Sequence, residues 1–152
     1  MIARLALASV LAAVVVAQCD DSVRGGRAAA IPVTDAAAVA RGKALYEKNC
    51  ASCHGTRLEG QADWRRRLPN GRFPAPPHDR TGHTWHHPDD LLFGITKEGM
   101  EKFAPPGHVS DMPAFGRLLS DGDIRATLAY IESRWPEEVW KARREMLKNR
   151  NP

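Results

Sequence analysis

The chain has 152 residues, which leaves room for one small domain with a modest core once an export segment is removed. Its formal charge of +4 drops by one when Arg4 leaves with that segment, so strong steering by net charge is excluded. No nucleic-acid partner is expected. Three cysteines leave at least one without a disulfide partner.

The first eighteen residues have the pattern of a signal peptide. A short positive region ends at Arg4, and residues 5–17 form an unbroken run of small and aliphatic side chains. Such a run is too short to span a bilayer and fits a signal-peptide core. We therefore predict that residues 1–18 direct export of the chain to the periplasm.

Cys19 follows this core directly and resembles the lipid-modified cysteine of a bacterial lipoprotein. The resemblance implies diacylation of Cys19 and anchoring to the membrane, with Asp20 in second place favouring the inner membrane. Gln18 departs from the small residue usual at that position, so ordinary cleavage near Ala17 or Gln18, or an uncleaved anchor, stays open. Residues 19–33 lack apolar periodicity and predict a flexible tether.

The folded region is predicted to begin at Thr34, as the N-cap of a helix that has an acid in its first turn and runs towards Asn49. Gly42 stands four residues before Tyr46, on one face of this helix. There a second helix could approach closely, with the aromatic ring filling the contact. Ordinary amphipathic packing accounts equally well for each residue taken alone.

Cys50-Ala51-Ser52-Cys53-His54 follows this helix and is the arrangement that attaches haem covalently. Thiols at i and i+3 can reach the two vinyl groups on one porphyrin edge, while His54 directs a ring nitrogen at the iron. A thioredoxin-type pair would need a βαβ context, and a zinc site would need two further ligands. Neither alternative explains His54. We therefore predict one covalently attached haem c.

Residues 55–87 are rich in glycine, proline, arginine and histidine, and they predict an extended loop. A loop of this length is unusual in a compact domain unless it wraps something, here the haem. Its proline-rich segment 74–77 is expected to present a backbone carbonyl to the far nitrogen of His54. Candidate donors to the haem propionates are Trp64, Arg65, Arg66, Arg67 and Arg72. A solvated basic surface is the alternative for each arginine.

Three histidines, His83, His86 and His87, have a fair ligand spacing for copper or zinc. No cysteine or acid completes the pattern, so a second metal site is not favoured. The segment 87–90 better predicts a helix start, with proline at the first helical position and acids in the first turn. That helix is expected to stop near Gly99.

Met112 lies in a proline-bounded segment and is the candidate for a second axial ligand of the iron. A thioether is a soft ligand that raises the potential of haem iron, and a rigid loop holds it at little entropy cost. Met100 is the competitor, but it lies at a helix end, where packing explains it better.

The chain closes with two helical patterns. Ser120 is predicted to cap a helix over residues 124–134, with Leu128 and Ile131 on the side that packs on the first helix. Residues 136–152 restart the pattern as a basic helical tail, with acids first and bases last. This order complements the helix dipole. The alternative is a basic amphipathic patch for an acidic partner or the membrane surface.

The order of helix, haem motif, proline-containing loop, helix, Met-Pro loop and aromatic-bearing helix resembles the class I cytochromes c over residues 34–135. The resemblance implies an all-α cytochrome c-like fold, a small helical domain with long loops wrapped around one haem. It places Gly42 and Tyr46 against the last helix near Tyr130. Carried over residue by residue, it implies thioethers at Cys50 and Cys53 and axial ligands at His54 and Met112.

Iron with both axial positions filled by side chains has no open site for a substrate. The sequence therefore predicts a monohaem electron carrier rather than an enzyme, acting between periplasmic or membrane-bound redox partner proteins. One alternative is a haem enzyme or gas sensor with a displaceable Met112 and a distal residue such as His108. Others are a haem subunit of a larger oxidoreductase complex and a histidine-based metal-binding lipoprotein.

Overall fold

In a computed structural model that describes residues 30–149, the chain folds into helices and loops, with no β-strand in that range. The α-helices are α1 (Ala36–Asn49), α2 (Ala51–His54), α3 (Asp89–Glu98), α4 (Asp121–Ser133) and α5 (Glu137–Lys148). The predicted all-α class is confirmed. The predicted signal peptide and Cys19 lie outside the described residues. None of the helices within 30–149 has the length and apolar character needed to cross a membrane.

Helix α1 begins at Ala36 because Asp35, and not Thr34 as predicted, is its N-cap. The Asp35 carboxylate accepts hydrogen bonds from the backbone N–H groups of Ala37 at 2.9 Å and Ala38 at 3.2 Å. The carboxylate there satisfies two unpaired backbone donors, and its negative charge interacts favourably with the positive end of the helix dipole. The helix ends at Asn49, as the sequence predicted.

Helices α1 and α4 pack against each other at Gly42, in the close approach that the family resemblance implied. A Cβ atom on Gly42 would overlap the backbone carbonyl of Ala126, so only glycine allows this contact. Tyr46 is fully buried, and its ring centroid lies 5.4 Å from that of Tyr130. The Tyr46 hydroxyl donates to the Gly55 carbonyl at 2.8 Å. This bond ties the helix pair to the chain just after the Cys-x-x-Cys-His motif.

Helix α4 begins at Asp121, three residues before the predicted start. Ser120 forms a capping box with Asp123, in which the Ser120 Oγ accepts from the Asp123 N–H at 3.1 Å and the Asp123 carboxylate accepts from the Ser120 N–H at 3.3 Å. The box satisfies donors of the first turn, so the helix starts at once. Leu128 and Ile131 are buried, as predicted.

The predicted long loop is confirmed from Gly55 to His83 and ends in a short 3₁₀ helix, Thr84–His86. Helix α3 follows, with Pro88 at the N-cap rather than at the predicted first helical position and two acids in the first turn. Gly99 ends α3 with a φ of +89°, a conformation that favours glycine.

The predicted helical tail forms helix α5, and this helix packs on the domain, against the 3₁₀ helix Thr84–His86. Val139 belongs to the hydrophobic core. Arg143 is only 2% exposed, so it does not belong to an exposed basic patch. Arg144 pairs with Glu137 at 2.8 Å on the outer face. These contacts make α5 an integral part of the folded domain.

Candidate haem site

The short helix α2 presents both motif cysteines. Cys50 is its N-cap, and Cys53 lies within it. The backbone N–H groups of Cys53 and His54 both donate to the Cys50 carbonyl, at 3.1 and 2.9 Å, so the motif forms one tight turn. Both thiols are free of disulfides, with Cys50 half-buried and Cys53 exposed. Burial, with a smaller contribution from Cys53, raises the pKa of the Cys50 thiol to about 11.

His54 is buried beside these thiols, with 7% of its surface exposed. Its Nδ1 lies 2.8 Å from the carbonyl oxygen of Pro76, which confirms the contact predicted for the proline-rich segment. A carbonyl can only accept, so Nδ1 carries the proton and Nε2 is left as the basic nitrogen. Burial lowers the pKa of His54, opposed by the bond to Pro76, so the ring is neutral at pH 7.

His78 packs directly on His54 in this site, a role that the sequence analysis missed. Its ring stacks on that of His54 with centroids 4.0 Å apart. The Nδ1 of His78 lies 2.7 Å from the Thr84 hydroxyl, and the Trp135 indole donates to the His78 carbonyl at 2.8 Å. Burial places the pKa of His78 well below its usual value, with His54 contributing. One signal was present in the sequence, since His78 directly follows the proline-rich segment.

Met112 lies in the loop between α3 and α4 and is half-buried against the hydrophobic core. Its backbone N–H is 3.1 Å from the Ser110 hydroxyl, which accepts the bond. The neighbouring Asp111 pairs with Arg72, so this loop is joined to the long loop 55–87. Met100 instead starts the short 3₁₀ helix Met100–Lys102.

Trp64 and Arg65, the predicted propionate pair, lie together in the long loop. The Arg65 guanidinium is 4.1 Å from the Trp64 ring centroid, and Trp64 stacks on His83 at 5.2 Å. Two buried nitrogen atoms within residues 30–149 have no hydrogen-bond partner and lie in the same part of the chain, His83 Nδ1 and Trp85 Nε1.

The histidine-based metal site gains no support from the structure. Within residues 30–149, no group of three or more histidine, cysteine or acidic side chains is arranged to hold a metal ion. His83 does lie near His87, with ring centroids 5.2 Å apart. The donors that the structure gathers instead are two thiols and a neutral imidazole in one turn, a set whose chemistry fits a covalently attached haem.

Comparisons with known proteins agree with this chemistry. The family model for cytochrome c matches residues 39–135. The chain is 32% identical over 100 residues to the Cbb3-type cytochrome c oxidase subunit CcoP of Azospirillum brasilense. It is 31% identical over 101 residues to the protein of the same name from Azospirillum sp. (strain B510).

These two matches cover 66% and 65% of this chain but only 30% and 29% of the relatives, so the chain spans less than a third of their length. No solved structure shows significant similarity to the chain. The matched region includes the whole motif from Cys50 to His54 and the loop of Met112. Because the family match extends over well more than half of the chain, the protein belongs to the cytochrome c family, as a class I c-type cytochrome that binds haem c covalently and transfers electrons.

Proposed function

We propose that the protein is a monohaem electron carrier in which His54 and Met112 are the axial ligands of one haem, held by thioethers at Cys50 and Cys53. The observation that carries this proposal is the 2.8 Å hydrogen bond between His54 Nδ1 and the Pro76 carbonyl. It fixes the orientation of the ring and its tautomer, and it makes Nε2 a better ligand. When bound, haem supplies a one-electron iron couple.

Met112 is the second ligand in this proposal. The bond to Ser110, the following proline and the ion pair between Asp111 and Arg72 all restrain its loop. A restrained side chain loses little entropy on ligation, and a thioether favours reduced iron. Filling both axial positions leaves no open site for a substrate, so the proposed role is electron transfer without catalysis.

Four side chains are proposed to serve the haem propionates. Trp64 and Arg65 are the pair predicted from the sequence. Trp85 Nε1 and His83 Nδ1 are added because each is buried without a hydrogen-bond partner among the described residues. An unsatisfied buried polar group costs about 1–3 kcal/mol, so a polar partner is expected beside each atom. A propionate carboxylate accepts from the Trp85 N–H, and from His83 in the tautomer that carries its proton on Nδ1.

The proposed partners are redox proteins, one that donates electrons and one that accepts them. Export to the periplasm and a lipid anchor at Cys19, with the inner membrane favoured, are supported by the sequence pattern of residues 1–20. A second candidate role is that of a haem subunit in a larger oxidoreductase complex. It is favoured by the relatives, which are named as oxidase subunits.

Absorption spectra of the oxidised and reduced holoprotein, with and without carbon monoxide, test the axial pair. We expect a reduced spectrum typical of two thioethers and no rapid carbon monoxide binding at neutral pH. Rapid and complete binding would contradict the filled sixth position and would favour the haem enzyme or gas sensor, with His108 on the distal side. The apparent mass of the detergent-extracted native protein separates a free carrier from a subunit of a complex.

A further inference from the structure

A buried charged cluster lies where α5 meets α4 and the start of α3. Glu132, near the end of α4, and Arg143, on α5, are each 2% exposed. Asp89, the first residue of α3, completes the cluster at its edge, with 41% of its side chain exposed. None of these residues belongs to the proposed haem ligands, and charged side chains are seldom buried without a specific arrangement of partners.

Arg143 joins α5 to the segment 85–89. Its Nη1 donates to the carbonyl of Trp85 at 2.9 Å and to the carbonyl of His87, and its Nη2 donates to the Asp89 carboxylate. The guanidinium carbon also lies 5.2 Å from the Trp135 ring centroid. The positive charge of Arg143 is therefore already matched by Asp89 and by two carbonyl dipoles.

Glu132 is paired less closely. Its Oε1 is buried without a hydrogen bond to any of residues 30–149, and Arg143 Nη2 lies 3.6 Å away, within ion-pair range but beyond hydrogen-bond distance. Burial raises the pKa of this carboxyl to about 8, with Asp89 adding to the effect and Arg143 opposing it. Burial costs less free energy for the neutral carboxyl than for the ionised one, because a buried charge needs full pairing with hydrogen bonds or an opposite charge.

The surroundings of Glu132 combine apolar and charged side chains. A cavity of about 550 Å³ borders the cluster, and its apolar lining includes Ile31, Val33, Trp140 and Leu147. Arg144 and Glu137 are the other charged residues of its lining, and they pair with each other at 2.8 Å. Among the described residues 30–149, which include the start of the chain's folded part, α3, α4 and α5, Asp89 and Arg143 are thus the charged groups that act on Glu132.

We propose that Glu132 is a proton-controlled latch for α5. Its neutral carboxyl leaves Arg143 on the segment 85–89, and loss of the proton draws Arg143 towards Glu132. A displacement of about 0.7 Å would shorten the distance from Arg143 Nη2 to Oε1 from 3.6 Å to about 2.9 Å, the usual length of a hydrogen bond. The ionised carboxylate attracts the guanidinium strongly in this low-dielectric setting. Arg143 then loosens from the carbonyls of Trp85 and His87.

The first test of the latch is ¹³C NMR of the glutamate carboxyl groups between about pH 5 and pH 10. The sample is the reduced holoprotein, which is diamagnetic if both axial positions are filled as proposed above. We expect the Glu132 signal, assigned by its absence from Glu132→Gln, to titrate near the pKa of about 8. Titration in the ordinary range of an exposed glutamate would overturn the proposal.

The second readout is amide hydrogen exchange at His87 and Leu92, whose N–H groups bond to the carbonyls of Thr84 and Pro88. The ratio of exchange rates in wild type and Glu132→Gln, measured at the same pH, removes the intrinsic effect of base. We expect this ratio to stay constant below the transition and to rise about tenfold above it. A constant ratio across a confirmed Glu132 titration would overturn the latch, since the proton would then be lost without loosening the segment.

Glu138→Gln is the matched control, because Glu138 is an exposed acid on α5, the helix that carries Arg143, and its carboxylate lies 3.7 Å from Arg80. The ratio of exchange rates in wild type and Glu138→Gln should stay the same at every pH. If Glu132→Gln does not fold, Arg143→Lys keeps the test sharp, because a lysine amine cannot bond Trp85, His87 and Asp89 in the same fork. In the lysine variant, we expect the His87 amide to exchange rapidly both below and above the transition. Exchange as slow as that of wild type below the transition would overturn the proposal.

Discussion

Gly42 on α1 lies directly against the backbone carbonyl of Ala126 on α4, and no Cβ atom fits between them. Gly42→Ala should therefore push the two helices apart and lower the free energy of unfolding by about 1–3 kcal/mol, the usual cost of overpacking a well-packed contact. Thermal or denaturant unfolding of the holoprotein measures this change.

Gly122 provides a control of opposite sign for this experiment. It lies in the first turn of α4, and a Cβ there would meet only the Ser120 hydroxyl at an ordinary 3.8 Å. Gly122→Ala should raise the free energy of unfolding by about 0.5 kcal/mol, because alanine restricts the unfolded chain. Equal effects of the two substitutions would contradict the packing argument at Gly42.

Cys50 and Cys53 are expected to carry the thioethers. Cys50→Ala or Cys53→Ala should each remove one covalent bond and greatly lower the yield of holoprotein, since each thiol reaches a different vinyl group. Haem that survives acid extraction, measured by absorption and mass, reports attachment. Ser52→Ala, between the two cysteines, should leave attachment intact. Acid-resistant haem in the double cysteine variant would refute covalent attachment at this motif.

The axial assignment separates Met112 from Met100. Met112→His should lower the midpoint potential by on the order of 100 mV, a fraction of the ~0.8 V over which axial ligands act. Met112→Ala should open a coordination position and let the ferrous protein bind carbon monoxide. Met100→Leu should leave the potential and ligation unchanged, at a small cost in packing. The reverse pattern would identify Met100 as the ligand.

Glu132 should make the stability of the protein depend on pH. The pKa of this carboxyl is about 8 in the folded protein and 4.5 in its ordinary state. Between these values the unfolded chain loses the proton while the folded protein keeps it, so stability falls as pH rises through this range and levels off above it. The Glu132→Gln variant should not lose stability in this way, because a glutamine side chain does not ionise.

The advantage of Glu132→Gln over wild type should therefore grow from about pH 4.5 to pH 8 and reach at most about 5 kcal/mol. Denaturant unfolding at several pH values measures the difference. Glu145→Gln, an exposed exchange on α5, controls for the removal of one carboxylate. An advantage that did not change with pH would show that the buried carboxyl ionises at its ordinary value.

Cys19 is expected to anchor the mature protein. Cys19→Ala should move the protein from the membrane fraction to the soluble fraction, because the acyl chains that provide the anchoring free energy would be missing. Ser22→Ala tests whether a nearby change has the same effect. A Cys19 variant bound as firmly as wild type would point to an uncleaved anchor instead.

The sequence by itself determined those features that depend on neighbours along the chain. The motif from Cys50 to His54 specifies its chemistry through spacing alone, and Gly99 ends α3 through its own backbone freedom. Helix starts were displaced by one to three residues where several capping residues adjoin, as at Thr34 and Asp35. The choice between adjacent caps depends on backbone geometry that a residue pattern does not contain.

Only the tertiary structure decided which residues far apart in the chain share one site. His78 stacks on His54 because the proline-rich segment returns to the haem motif. Arg143 looked like part of an exposed basic face, yet its partners Trp85 and Asp89 stand 58 and 54 positions earlier. Burial of a charged side chain depends on whether distant groups can replace its water, and local periodicity carries no information about that.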